Sequence, residues 1–281
     1  MHLQRFSEVD EFLAAAGEFL GAREAEHNLI LGVCSNLRET PETFSGPPYL
    51  AMVTVRDRVV AVALQTPPFR LVLSEIDDPA AIPMLVEDLL DRDLPAVMGP
   101  VEHVRAFVEE WTARGGRPAH LTESERIFRL SVVRPLRPVP GRRRLATSDD
   151  RELVAAWIEA FMREAFGDAD PADVAVNTDR WLAGRGRTLY LWEDNEAVSL
   201  AGVGGPTPNG IRIGPVYTPP EVRGRGYASA LVAALSQAEL DAGRRFCFLF
   251  TDLANATSNH IYQAIGYEPV RDVDVYQLDR R

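Results

Sequence analysis

The stretch best suited to chemistry is IRIGPVYTPPEVRGRGYASALVAALSQAEL, residues 211–240 of the 281-residue chain. A β-rich run ends at Val216–Tyr217–Thr218, and Pro219 and Pro220 stop it. Arg223–Gly224–Arg225–Gly226–Tyr227–Ala228 then leads straight into an Ala/Leu-rich helical pattern. This order of residues makes an anion cradle. Glycines at 224 and 226 let the backbone approach a ligand without Cβ obstruction. The first helical turn has unpaired N–H groups and the positive end of the helix dipole. Ala228, Ser229 and Ala230 are small and keep that turn open, and the forks of Arg223 and Arg225 can grip a pyrophosphate.

A second constellation follows a continuous apolar run, RFCFLFT, and closes at Gly266–Tyr267. Asn255, Ser258, Asn259 and Tyr262 are spaced i, i+3, i+4, i+7. A helix containing all four sets them on one face, which Ile261 and Ile265 do not share. A phenol at that position can protonate a leaving group, or it can simply pack beneath a helix end. The order strand, cradle, helix also differs from a dinucleotide-binding fold, where the glycine-rich turn follows the first strand.

Together these stretches resemble the GCN5-related N-acetyltransferase (GNAT) family, whose signature R/Q-x-x-G-x-G/A is met by Arg223, Gly226 and Ala228. The resemblance implies an α/β (α+β) chain with the acyl-CoA N-acyltransferase fold. It implies that Arg223, Gly224, Arg225, Gly226, Tyr227, Ala228 and Ser229 hold the pyrophosphate of acetyl-coenzyme A. The edge at Val216, Tyr217 and Thr218 pairs with the pantetheine arm, which Asn255 contacts, with Ser258 and Asn259 on the cofactor side. Tyr262 sits beside the thioester sulfur as general acid. The implied reaction is direct attack on the thioester by a primary amine of a small molecule or peptide, with a strand N–H polarising the carbonyl. Glu159, Glu164 and Glu193 are candidates for the base, and a water chain is the other route. The competing class is a coenzyme A-binding module without turnover, which would keep the cradle and dispense with Tyr262.

The elements around these residues repeat. Residues 1–135 read α-α-β-β-β-α-β-α-β, beginning with a helix capped by Ser7. Residues 146–281 read β-α-α-β-β-β-α-β-α-β, with Ser148 as a helix cap. The expectation is two GNAT-like mixed-sheet domains, the first a degenerate copy, joined by a solvated Pro/Arg-rich linker at 136–145. The first half has no cradle: FRLVLSE is followed by Asp77, Asp78 and Pro79, which repel phosphates. Its Glu26–His27–Asn28–Leu29 is either a satisfied buried polar cluster or part of an acceptor pocket.

Composition removes whole classes of chemistry. Every one of the 30 basic residues is Arg, and there is no lysine. A lysine Schiff base, a Walker-type phosphate loop and a kinase strand lysine are therefore excluded. A net charge of −11 argues against nucleic acid as a partner. Cys34 and Cys247 lie far apart without a CxxC, and His103 and His120 lack a carboxylate or Cys pattern, so no metal is expected. No membrane span or signal segment is read, which makes a cytoplasmic monomer or homodimer the expectation. Trp157, Trp181 and Trp192 are either core residues or lining for the acceptor.

Overall fold

The computed structural model describes residues 1–167 and 169–279. Two compact units emerge, and neither is a continuous half of the chain. One contains residues 1–128, 250–255 and 269–281; the other contains 129–249 and 256–268. No helix among the described residues is long and apolar enough to cross a membrane.

The first half of the chain runs β1 (His2–Phe6), α1 (Val9–Ala22), α2 (Asn28–Glu39), β2 (Tyr49–Val55), β3 (Arg58–Gln65), β4 (Leu71–Leu73), α3 (Ala81–Leu89), β5 (Ala96–Pro100), α4 (Val101–Ala113) and β6 (Ala119–Leu130). The second runs β7 (Arg142–Leu145), α5 (Arg151–Phe166), α6 (Pro171–Leu182), β8 (Arg187–Asp194), β9 (Glu196–Gly204), β10 (Gly210–Tyr217), α7 (Tyr227–Asp241), β11 (Phe246–Asp252), α8 (Ala256–Ile265) and β12 (Glu268–Leu278). Short 3-10 turns aside, the two orders are identical. The sequence pattern does not reveal β1, a mostly exposed five-residue strand with little apolar alternation.

In the first unit the strand order is β1-β2-β3-β4-β5-β12-β6. Both faces of its centre are buried, as the period of two requires. Tyr49, Ala51 and Val53 face a core with Leu85, Phe107 and Trp111, while Leu50 and Met52 face Phe12, Leu20 and Ile30. The start of α1 differs from the expected one. Glu8 rather than Ser7 precedes α1. The ring of His27 bonds Leu20 O through Nδ1 at 3.0 Å, and its Nε2 accepts the Glu75 N–H at 3.0 Å. Burial holds its pKa down to about 4. Both ring nitrogens of His27 are therefore bonded, whereas Asn28 donates to Ala25 O at 2.6 Å but buries its Oδ1 without a partner among the described residues, so the polar cluster is only partly satisfied.

Strand β12 lies in the first unit rather than with the second half of the chain. It pairs antiparallel with β5, from Val273 opposite Pro100 to Gln277 opposite Ala96. Leu278 is buried in the first core. Arg126 holds Asp272 at 2.6 and 2.8 Å, and Ser124 donates to the buried Asp274 at 2.7 Å. Alternation marks β12 as a half-buried strand, but alternation alone does not choose a partner edge.

In the second unit the order is β11-β10-β9-β8-β7. The segment expected to be a solvated linker is mostly exposed, with several points tied to this unit. Trp192 Nε1 donates to Pro140 O at 2.8 Å, Arg144 binds Asp150 at 2.7 and 2.8 Å, and Arg142 to Leu145 form β7 against β8. The helix expected to be capped by Ser148 is preceded instead by a 3-10 turn closed by a Thr147–Asp150 capping box.

The exchange of β12 has a measurable consequence. Val275, 1% exposed, and Val97, fully buried, lie in the same unit. Val275→Ala should cost about 2 kcal/mol, in the range for buried truncations, and lower the same calorimetric transition as Val97→Ala. Separate transitions for the two variants would contradict the shared unit.

Candidate active site

The cradle begins where β10 leaves its neighbour. β10 pairs in parallel with β11 only from Gly210 to Arg212, opposite Phe246 to Phe248. On its other side it pairs with β9 through Tyr217, with a bulge between Ile213 and Val216. Beyond Arg212, then, β10 has no ladder to β11 among the described residues. The backbone edge at Val216 and Tyr217 is open on that side, available to an extended ligand.

Gly224 and Gly226 have φ of +76° and +88°, in the left-handed region that favours glycine. A Cβ at Gly224 would meet open space; one at Gly226 would come within 3.1 Å of Val139 Cγ2. Gly226 is the N-cap of α7 and supplies no side chain to it. The first α-helical bond runs from Ala230 N–H to Gly226 O at 3.0 Å. The N–H groups of Tyr227, Ala228 and Ser229 therefore lie in the uncapped turn. Arg225 is exposed beside it. α7 ends in a Schellman turn, with Gly243 N–H on Leu240 O and Arg244 N–H on Glu239 O.

Several side chains assigned to the cofactor are committed within the protein. Arg223 donates through Nε to Thr218 O at 2.7 Å and through Nη2 to both Glu164 oxygens at 2.8 and 2.9 Å. Its guanidinium also lies over the Tyr217 ring, so this arginine braces the strand end against α5. Tyr217 is buried against Trp157. The Thr218 hydroxyl bonds Ser199 Oγ at 2.9 Å. Tyr227 turns its hydroxyl to Asp194 at 2.7 Å. What these positions offer a ligand is backbone. The cation beside them is the exposed Arg225.

Helix α8 begins at Ala256, so it carries Ser258, Asn259 and Tyr262 while Asn255 precedes it. Asn255 closes a turn, its N–H on Asp252 O at 3.0 Å, and counts with the first unit. Ser258 and Asn259 are half-buried, and Tyr262 is 9% exposed. Gly266 ends the helix at φ +116°, and a Cβ there would meet Val132 O at 2.6 Å. Tyr267 then bonds Ser236 Oγ on α7 at 2.8 Å and sets its ring 6.0 Å from that of Tyr262. Burial pushes the Tyr262 phenol up to about 12.

The three carboxylates considered as bases are all ion-paired. Glu164 meets Arg223 as described, Glu159 meets Arg163 at 2.5 Å, and Glu193 meets Arg144 at 2.5 Å. The hydrogen bond from Arg144 lowers the pKa of Glu193. Trp157 and Trp192 are core residues, and Trp181 lies beneath the guanidiniums of Arg180 and Arg187.

The helix after β4 shows the opposite chemistry. Asp78 Oδ1 accepts the Ala80 N–H at 3.0 Å, and Asp77 pairs with Arg23. The structure also gives His103 the carboxylate neighbours that the sequence does not show. His103 Nε2 lies 3.1 Å from Glu75, close to Glu102. The cation among them is Arg271, whose Nε is 2.7 Å from Glu75 and whose Nη2 contacts Glu102.

One titratable group has no signal in the sequence. Glu125 on β6 is half-buried. Burial, then Glu123 and Asp252, push its pKa up to about 7 against the pull of Arg70. Glu123 and Glu125 share a face of β6 by their spacing, but Asp252 and Arg70 come from elsewhere in the chain, and no motif announces them.

Residues 152–267 match the sequence model of the Acetyltransferase (GNAT) family. The chain thus carries a GNAT acetyltransferase domain over those residues, and its first half is GNAT-like in fold. A Drosophila protein of known structure has a TM-score of 0.69 at 16% identity, covering 99% of this chain and 98% of its own. A GNAT-family acetyltransferase from Colwellia psychrerythraea reaches 0.56 at 8%, over 99% and 100% of the two chains. A tandem GNAT protein from the clavulanic acid biosynthesis pathway reaches 0.57 at 13%, over 98% and 97%. At these identities the likeness is one of fold. No curated protein matches the sequence.

Glu125 makes stability pH-dependent in a stated direction. Its folded carboxyl keeps a proton to about pH 7, whereas the unfolded one releases it near 4.5. The folded state binds more protons in that window, so this group's contribution to stability falls as pH rises from about 5 to 8. Glu125→Gln should flatten the fall and raise stability at pH 8 by on the order of 1–3 kcal/mol. Urea unfolding at pH 5.5 and pH 8 checks this, and an unchanged difference between the two pH values would sink it.

Proposed function

We propose that the second unit transfers an acetyl group from acetyl-coenzyme A to a primary amine. The observation that carries this reading is the uncapped start of α7 directly after the open edge of β10. An extended arm ending in a pyrophosphate fits that pair of features: backbone groups for the arm, then N–H groups and a dipole for the charge. The open space at Gly224 and the exposed Arg225 suit the phosphates. In the absence of lysine, a guanidinium and backbone N–H groups supply the positive charge.

The chemistry is direct attack by a neutral amine on the thioester carbonyl. Backbone N–H groups on the open edge of β10 polarise that carbonyl. Tyr262 gives its proton to the departing sulfur; a phenol with a pKa near 12 is fully protonated at neutral pH. With Glu159, Glu164 and Glu193 held by arginines, solvent takes the amine proton.

Two variants test separate parts of this reading. Arg225→Glu should abolish acetyl-coenzyme A binding in calorimetry; unchanged affinity would remove the cradle assignment. Tyr262→Phe should keep that affinity and lower thiol release with an amine panel by about 100-fold, within the range for a lost general acid. Thiol release at the wild-type rate would show that Tyr262 is not the acid.

A further inference from the structure

Several half-buried arginines elsewhere in the protein meet carboxylates. Arg126 pairs with Asp272, Arg144 with Asp150, and Arg271 with Glu75. Arg187 and Arg212 are also half-buried, and no carboxylate pairs with either among the described residues. In a chain with 41 acids, this is no shortage of partners.

The two arginines lie in one row of the sheet. Arg187 on β8 and Arg212 on β10 are both opposite Gly204 on β9. Directly opposed residues share a face, and strands about 4.8 Å apart place these two Cα atoms about 10 Å apart. Glycines in β9 and just after it make room for both side chains. A Cβ on Gly202 would lie 2.8 Å from Arg187 Cδ, and one on Gly205 would lie 2.5 Å from Arg212 Nη2. Trp181 carries the Arg187 guanidinium, 5.4 Å from its ring centre. Burial, then the charges of Arg212 and Arg180, pull the pKa of Arg187 down to about 9. Burial alone pulls that of Arg212 down to about 10. Both remain cationic at neutral pH, so the fold holds two desolvated like charges in one row, an arrangement that an anion would stabilise.

Arg187 donates to Gly214 O, inside the β10 bulge. Gly214 stands two residues before Val216, so the cationic row adjoins the open edge assigned to the acyl donor.

We infer that Arg187 and Arg212 form an anion subsite for the acceptor, which is a primary amine bearing a carboxylate. This rests on the acetyl-transfer reading above. Two planar forks match the two oxygens of a carboxylate, and the anchored acceptor would present its amine toward the β10 edge.

The test uses products, so that it does not depend on turnover. N-acetyl amino acids and their matching primary amides are titrated into the full chain, with acetylated aminoalkyl phosphates as a third series. The carboxylates should bind about 10- to 100-fold tighter than the amides, as a charge-assisted pair predicts. Arg212→Gln should erase the difference and Arg212→Lys should keep part of it. Equal binding of carboxylates and amides by the wild type overturns the subsite, even if the Gln variant does not fold. Preferential binding of the phosphate series overturns the assignment to a carboxylate. Coenzyme A binding is measured separately on the same samples. Its loss counts against the acetyl-transfer reading, while carboxylate discrimination speaks for or against the subsite alone.

Discussion

The site depends on β10 parting from β11 after Arg212. Up to that residue the two strands satisfy each other. Beyond it, the backbone of β10 is tied on one side only, to β9. The bulge between Ile213 and Val216 shifts the register at that point. An edge left open inside a sheet is costly unless something polar comes to it. The surrounding side chains secure the strand without closing it. Arg223 holds Thr218 O, Ser199 donates to Tyr217 O at 3.1 Å, and Tyr217 is anchored in the core.

The two halves of the chain show how one order of elements can carry opposite chemistry. After β4, acidic side chains crowd the start of α3, and one of them takes a backbone N–H. After β10, two glycines replace the acids, and no side chain caps α7. Neither helix has a side-chain cap, so what differs is charge and bulk: carboxylates just before α3 repel an anion, while glycines before α7 leave it room. The difference lies in a handful of residues after the strand, not in the fold.

This contrast is plain in the sequence, because glycine, proline and acid spacing encode local backbone directly. The element order is equally plain, except for β1, whose five mostly exposed residues carry no apolar rhythm. Long-range commitments are hidden. Nothing near Arg223 says that Glu164 will hold it, and nothing near β12 says that β5 will be its partner. The row of Arg187, Gly204 and Arg212 is equally invisible, since only strand register aligns three residues from three strands. Residues 136–145 are mostly exposed, but the points at which they are tied down are not legible in the sequence. Pro140 is fixed by an indole N–H.

The exchange of β12 also orders events during synthesis. The hydrogen bond from Ser124 to Asp274 joins residues 150 positions apart, and Leu278 completes a core begun by Tyr49. An N-terminal domain ordinarily folds as it leaves the ribosome, before the later domains are made. Here the first unit waits until the second has been translated. It spends that interval with the β5 edge unpaired, which is a natural site for mispairing. Once β12 is in place, the chain is closed on itself. A fragment that ends before β12 therefore lacks a strand of the first unit.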